Sequence, residues 1–400
     1  MTTPRRILVI FDDGHEGDAI RVAGYLLAVR AAHPNARIVL SASARSSRLF
    51  VGSPAFDRIV ISYLHARRAG SRFSLRVRKV GELVRLIREV GRGYDLVLTF
   101  GHGGNLLNVL GMVAGRRRIG HASAYPWMLS SALDRWDIEQ DESAQQIAVL
   151  RAAGIDGGPE HYRPPVGESD EGSVNDLLLR RGVDLARPLV VLHPGSDWAC
   201  QQWLTERWAA VADTLGAAGV AVVFAGVARE APYIASIQAH GRRRLVSVAG
   251  ETTPGELAAL VARASLCVTV DAMVYELAAA LGTPVVVLAG PTRPALPAAP
   301  SAALALNRTG DSRRRAINAC RAPKQEIGGC LNYSCAFAGL RSISVREVLG
   351  AIDRVGWLGR SPGSPGTLEI ADELGLAVTR TEGRIGQRQL SLAASTAESH

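Results

Sequence analysis

Apolar and polar positions along this 400-residue chain fall into blocks rather than single alternations. Ile7-Leu8-Val9-Ile10-Phe11 is a continuous apolar run, suited to a strand buried on both faces of a parallel sheet. A polar turn with Gly14 and Gly17 follows. Ile20, Ala23, Leu27 and Ala31 then recur at helical spacing, which predicts a helix over 19–32 stopped by His33-Pro34-Asn35. Further strands are expected over 37–41, 58–61 and 94–100, with a helix over 80–89. The pattern then repeats in plan. Strands are expected over 189–193, 221–225, 245–248, 266–270 and 284–288, and helices over 206–218, 255–264 and 274–280. Two such alternations predict an α/β protein with two Rossmann-like, doubly wound parallel-sheet domains facing a cleft.

The expected boundaries follow from composition. An N-terminal domain spans 1–165, and residues 166–173, rich in Gly and acids after Pro164-Pro165, read as a linker. A C-terminal domain spans 174–358. Residues 359–400, rich in Ser, Gly, Thr and Glu, read as a weakly ordered tail. The 47% hydrophobic and 21% charged fractions are those of a folded globular chain. No apolar run approaches the roughly 18 residues of a membrane-spanning helix, the N-terminus does not read as a signal peptide, and five cysteines in so long a chain fit a reducing, cytoplasmic setting.

The net charge is +9, and the segment Arg45–Arg92 holds twelve basic residues against Asp57, Glu82 and Glu89, so the excess is local. Such a segment is either a solvated arginine-rich face or a surface for an anionic partner. Nucleic acid is not expected, because no aromatic interleaving or nucleic-acid motif accompanies the arginines. Peripheral association with a membrane is compatible with the same charge.

Ligands of doubly wound sheets sit at the carboxyl ends of the strands, so the loops there carry the candidate chemistry. Pro194-Gly195-Ser196-Asp197 follows the first strand of the second domain, where a glycine admits a ligand close to the backbone and free N–H groups can cradle a phosphate. Asp271 ends another strand, just before a helix whose N-terminal amides can receive a diphosphate; it is equally placed to cap that helix. In the first strand–helix loop, Glu16 and Asp18 can face an acceptor, one of them acting as a general base. His102, between Gly101 and Gly103 at a strand end, is a further acceptor contact. Cys320, Cys330 and Cys335 lack a fourth nearby ligand, so no metal site is expected.

Taken in order, Gly17-Asp18, His193-Pro194-Gly195, Trp198 and Trp203, Val248-Ala249-Gly250-Glu251-Thr252, Asp271, and Leu277 through Thr292 resemble the ADP-heptose:lipopolysaccharide heptosyltransferases, glycosyltransferase family nine. The similarity covers about 5–357 and is most specific over 248–292. It implies a GT-B fold and transfer, with inversion and without metal or cofactor, from a nucleotide-sugar donor. ADP-heptose or a related sugar is the implied donor. The acceptor would be a hydroxyl of a glycan, a lipid-linked or a small molecule.

The resemblance makes Asp18 the catalytic carboxylate. It places Gly195, Ser196, Asp197, Gln201, Glu230, Thr252, Asp271, Ala272, Met273 and Glu276 at the donor, with Glu230 toward the ribose, and Glu16 and His102 at the acceptor. Three positions depart from the family pattern. Gln201 stands for a lysine, Met273 for a glycine and Glu276 for a histidine, each altering the surroundings of a diphosphate. A respecialised relative, such as an epimerase or phosphorylase, or a non-catalytic nucleotide-binding protein is the alternative.

Overall fold

Each long apolar run becomes a strand with its side chains packed on both faces. In the computed structural model, residues 3–11, 16–44, 46–64, 72–101, 105–122, 125–135, 142–158, 162–196, 201–290, 303–307, 338–355, 370–371 and 377–378 are described. The chain divides into two units, Met1–Pro164 and Pro165–His400.

In the first unit, β1 (Arg6–Phe11), β2 (Arg37–Ser43), β3 (Arg58–Ser62), β4 (Tyr94–Thr99), β5 (Gly115–His121) and β6 (Ser131–Leu133) form one sheet in the order β3-β2-β1-β4-β5-β6. Every pairing in it is parallel. Helices α1 (Glu16–Ala32), α2 (Arg72–Val90) and α3 (Asn105–Ala114) supply crossovers between strands, and α4 (Glu142–Ala153) follows β6. The helix expected over 80–89 is longer, because α2 extends to Arg72. Its Arg85 is held between Glu82 and Glu89 one turn apart on either side. A core of Leu8, Ile10, Val39, Leu86, Val97 and Leu110 closes α2 and α3 over the sheet.

The second unit repeats the plan. Helix α5 (Glu168–Arg180) leads to β7 (Leu189–His193), followed by α6 (Thr205–Ala217), β8 (Ala221–Phe224), α7 (Ala231–Gln238), β9 (Val246–Ser247), α8 (Pro254–Arg263), β10 (Leu266–Val270), α9 (Met273–Leu281), β11 (Val285–Ala289), β12 (Ala303–Asn307) and α10 (Val345–Val355). The sheet order is β12-β11-β10-β7-β8-β9, again parallel throughout. Trp203 and Trp208, edge to face at 5.3 Å, sit in its core with Phe224 and Ile352.

Of the expected linker over 166–173, residues 168–173 open helix α5. Glu168, Asp170 and Glu171, which in sequence mark an acid-rich linker, complement the positive end of that helix. Val174, Leu177 and Leu178 bury its inner face. Asp170 packs at the start of α8, its carboxylate within 2.9 Å of where a β-carbon on Gly255 would stand. The division between units falls earlier, at Pro164-Pro165. In the tail, Ile370–Ala371 pairs with Ala377–Val378. The rest of 359–400, and Cys320, Cys330 and Cys335, lie outside the described residues.

Candidate functional site

Both sheets run outward from their first strand in the same order, so each has its topological switch point beside that strand. In the first unit the switch point lies between β1 and β4. Helix α1 begins at Glu16, which places Asp18 in its first turn, directly after the β1 loop. The side chains of Glu16 and Asp18, and the whole of His102 after β4, lie outside the described residues.

The second unit's switch point lies between β7 and β10, and here the side chains are described. Register sets the geometry: Thr269 pairs with His193, so the residues that follow the two strands leave the sheet side by side. On the β7 side this is Pro194-Gly195-Ser196; on the β10 side it is Asp271-Ala272-Met273. Ser196 and Gln201 are both buried, and the Ser196 hydroxyl donates to Gln201 Oε1 at 2.5 Å. Beyond them the chain is anchored by Trp203, whose indole N–H donates to the Ile343 carbonyl at 2.8 Å and whose carbonyl accepts from Tyr233 at 2.5 Å. Asp197 lies outside the described residues.

Asp271 does not cap the helix that follows it. The N-cap of α9 is Ala272, in extended conformation, and its side chain makes no capping bond to the helix's first amides. Those amides and the helix dipole suit an anion. Met273 opens the helix and Glu276, buried, lies in its first turn. A carboxylate in that position opposes an anionic ligand on the same amides.

Glu230 is buried at the start of α7 and turns back on the chain. The Val227 N–H donates to Glu230 Oε2 at 3.0 Å, and Oε2 stands 3.5 Å from His193 Nε2. A β-carbon on Gly195 would fall 2.2–2.5 Å from that carboxylate, and one on Gly226 would fall 2.8 Å from Oε2. Burial pushes the carboxyl up; His193, the Val227 amide and Arg229 outweigh it and hold Glu230 below its ordinary value. Gly250, at φ +78°, packs on Ala228 and donates to the Gly226 carbonyl at 2.8 Å, so the loops after β8 and β9 form one body. Thr252 follows on that body, half-buried, immediately before the N-cap Thr253 of α8.

The structure therefore gathers Gly195, Ser196, Gln201 and Glu230 around the β7 end and Asp271, Ala272, Met273 and Glu276 at the β10 end, on one sheet edge. His193 joins Glu230 to Thr269 and had no separate role in the sequence reading. The signal available was its place just before Pro194-Gly195; its partner lies 37 positions further along the chain. Among the described residues no group of three or more His, Cys, Asp or Glu is arranged to hold a metal ion.

The model of glycosyltransferase family 9 (heptosyltransferase) matches residues 83–317, more than half of the chain and all of the second unit's β7–β10 site. The chain belongs to glycosyltransferase family 9. Among curated proteins, lipooligosaccharide heptosyltransferase 2 of Haemophilus influenzae is 31% identical over 113 residues, 27% of this chain. The match spans 33% of that relative's length. A family 9 glycosyl transferase from Veillonella parvula superposes with a TM-score of 0.74 at 20% identity, covering 89% of this chain and 98% of that one. The E. coli ADP-heptose LPS heptosyltransferase II superposes at 0.65 with 19% identity, covering 89% and 100%. The E. coli heptosyltransferase WaaC, solved with ADP, superposes at 0.60 with 14% identity, covering 88% and 99%. At these identities the superpositions show the fold: the two Rossmann-like units of a family 9 chain, the GT-B architecture.

Proposed function

We propose that this family 9 chain is a glycosyltransferase that moves a sugar from a nucleotide-diphosphate donor to a hydroxyl of a glycan, lipid-linked or small-molecule acceptor. The observation that carries the reading is the β7–β10 switch point, where the Pro194-Gly195-Ser196 segment and the start of α9, with alanine at its N-cap, stand side by side within the matched family region. The diphosphate docks on those amides. Ser196, Gln201 and Asp271 contact it, and Glu230 and Thr252 border the nucleoside. ADP-heptose or a related ADP-sugar is the donor; this is supported by relatives named as ADP-heptose enzymes and by the ADP in WaaC.

Transfer proceeds with inversion and without a metal ion. The acceptor oxygen attacks the anomeric carbon as its proton passes to Asp18. The bond from that carbon to the diphosphate oxygen breaks, and the electron pair leaves with the nucleotide, stabilised by the helix-end amides. Glu16 and His102 orient the acceptor. The enzyme works in the cytoplasm, and the basic Arg45–Arg92 segment meets an anionic acceptor or the membrane surface that carries it. Among the described residues no helix is long and apolar enough to cross a membrane.

A second reading is favoured by Glu276, a buried carboxylate in the first turn of α9, together with the uncharged Gln201. In it the site has been rebuilt for a different leaving group, or binds without transfer. Incubation with ADP-heptose and a heptose-deficient lipopolysaccharide core, read by ADP release and by the mass of the product, tests both. A heptosylated acceptor is expected. ADP binding without transfer to this or a small-molecule acceptor favours the second reading, and the absence of nucleotide binding contradicts both.

A further inference from the structure

The residue that the proposed reaction leaves unused is His193. It ends β7 at the switch point and is buried, 7% exposed. Nδ1 lies 3.3 Å from Thr269 Oγ1 on the neighbouring strand, and the Thr269 hydroxyl donates to the Val270 carbonyl at 2.8 Å. Nε2 lies 3.5 Å from Glu230 Oε2. The ring thus bridges the end of β7, Thr269 near the end of β10, and Glu230 at the start of α7.

The glycines show what the tie accomplishes. The Glu230 carboxylate occupies the space that a side chain at 195 would fill, and it presses against Gly226 in the same way. A buried carboxylate stays in such a place only with donors around it. Val227 N–H supplies one, and His193 is the only side chain within ion-pairing distance of Glu230 among the described residues. Without His193, the carboxylate would keep one backbone donor and would turn toward solvent or the ligand. Gly195 would lose the surface that fixes its path.

We propose that His193 is a positioning residue for the donor: it seats Glu230 over Gly195 and thereby sets the Pro194-Gly195-Ser196 turn in the conformation that receives the nucleotide's phosphates. This rests on the reading of unit 2 as the donor site. The role is distinct from general support of the core, because its effect falls on three backbone amides and on ligand affinity.

The test uses the full-length chain, ADP as the probe, and two variants. His193→Ala removes both contacts, whereas His193→Gln keeps an N–H able to reach Glu230. In calorimetric titration, His193→Ala should weaken ADP binding about tenfold, the scale of one lost charge-assisted hydrogen bond. His193→Gln should restore most of that affinity. Amide hydrogen exchange at Gly195, Ser196 and Val227 should accelerate in His193→Ala and return in His193→Gln. If His193→Ala does not fold, Thr269→Val removes the other end of the tie and should shift both readouts in the same direction. A folded alanine variant with wild-type ADP affinity, or with unchanged exchange at those three amides, overturns the proposal. If the wild-type chain does not bind ADP, the donor reading fails, and the exchange measurement alone then decides whether His193 sets the turn.

Discussion

The two units share one strand order, yet their switch points are furnished in opposite ways. After β1, the chain enters α1 almost at once, and acids at Glu16 and Asp18 fall in that helix's first turn. After β7, the chain makes a Pro-Gly-Ser turn and does not resume a long helix until Thr205. The acid near that point, Glu230, is buried against glycine. One unit thus has acidic positions in a helix's first turn, and the other has a Pro-Gly-Ser segment. The proposed proton acceptor draws on the first arrangement, and the proposed diphosphate site on the second. Strand order alone does not distinguish the two units; the residues that follow their first strands do.

Exchanging or spoiling these furnishings should have graded effects. The largest falls on the first unit: Asp18→Asn should lower transfer about 10²–10⁴-fold, the usual weight of a general base. ADP affinity should change little in this variant. Steady-state ADP release with calorimetry on the same preparation separates the two, and full activity would remove Asp18 from the mechanism.

In the second unit, Gly195→Ala puts a β-carbon 2.2–2.5 Å from the Glu230 carboxylate. The carboxylate must swing away from Val227 and His193. Such overpacking should lower stability by about 1–3 kcal/mol, read as a shift of the urea midpoint, and should weaken ADP binding as well. An alanine variant as stable as the wild type would mean that the Glu230 contact is not tight.

A third change sharpens the donor side. Gln201→Lys with Glu276→His should tighten ADP binding about tenfold, by adding a cation and removing an opposing carboxylate near the phosphates. Because position 201 is buried, the lysine should cost stability without ligand and recover it with ADP. Thermal melts with and without ADP read both effects. Unchanged affinity would show that neither side chain faces the diphosphate.

The smallest effect lies away from both sites. The backbone amides of Arg6 and Arg5 donate to Asp95 and hold its carboxyl below the ordinary value. A lowered folded pKa means that the stabilisation is present above the unfolded value and is lost as pH falls through the folded one. Asp95→Asn should therefore be slightly less stable than wild type at neutral pH and equal to it in acid. A difference that grows toward low pH would contradict this assignment.

Much of this molecule was legible in sequence where a strand is apolar throughout. Leu189–His193 and Leu266–Val270 have the bounds their residues imply, because Pro194 ends one and Asp271 the other. The last two strands of the first sheet, β5 and β6, were harder. β5 reads Gly-Arg-Arg-Arg-Ile-Gly-His and carries no strand signal. Its glycines are required because a β-carbon at Gly115 would meet Tyr94 and Val97 at 2.7 Å, and its arginines find carbonyl partners at Ala152 and Met128. Only the neighbouring strand and loops explain those residues. Helix α5 was hidden because acids that serve a helix dipole look like linker acids. At the site, the glycine turn and Asp271 were visible as strand endings. The seat of Glu230 on His193 and Gly195 was not, since it depends on a contact between loops far apart in sequence.

The central claim is that the nucleotide belongs to the β7–β10 edge of the second unit. Amide hydrogen exchange of the full-length chain, with and without saturating ADP, tests it most directly. Slowed exchange is expected over 193–196, 201–202, 226–230, 249–252 and 271–276, with the loops after β1 and β4 unchanged. Protection confined to the β1 and β4 loops, with those segments of the second unit unaffected, would contradict it.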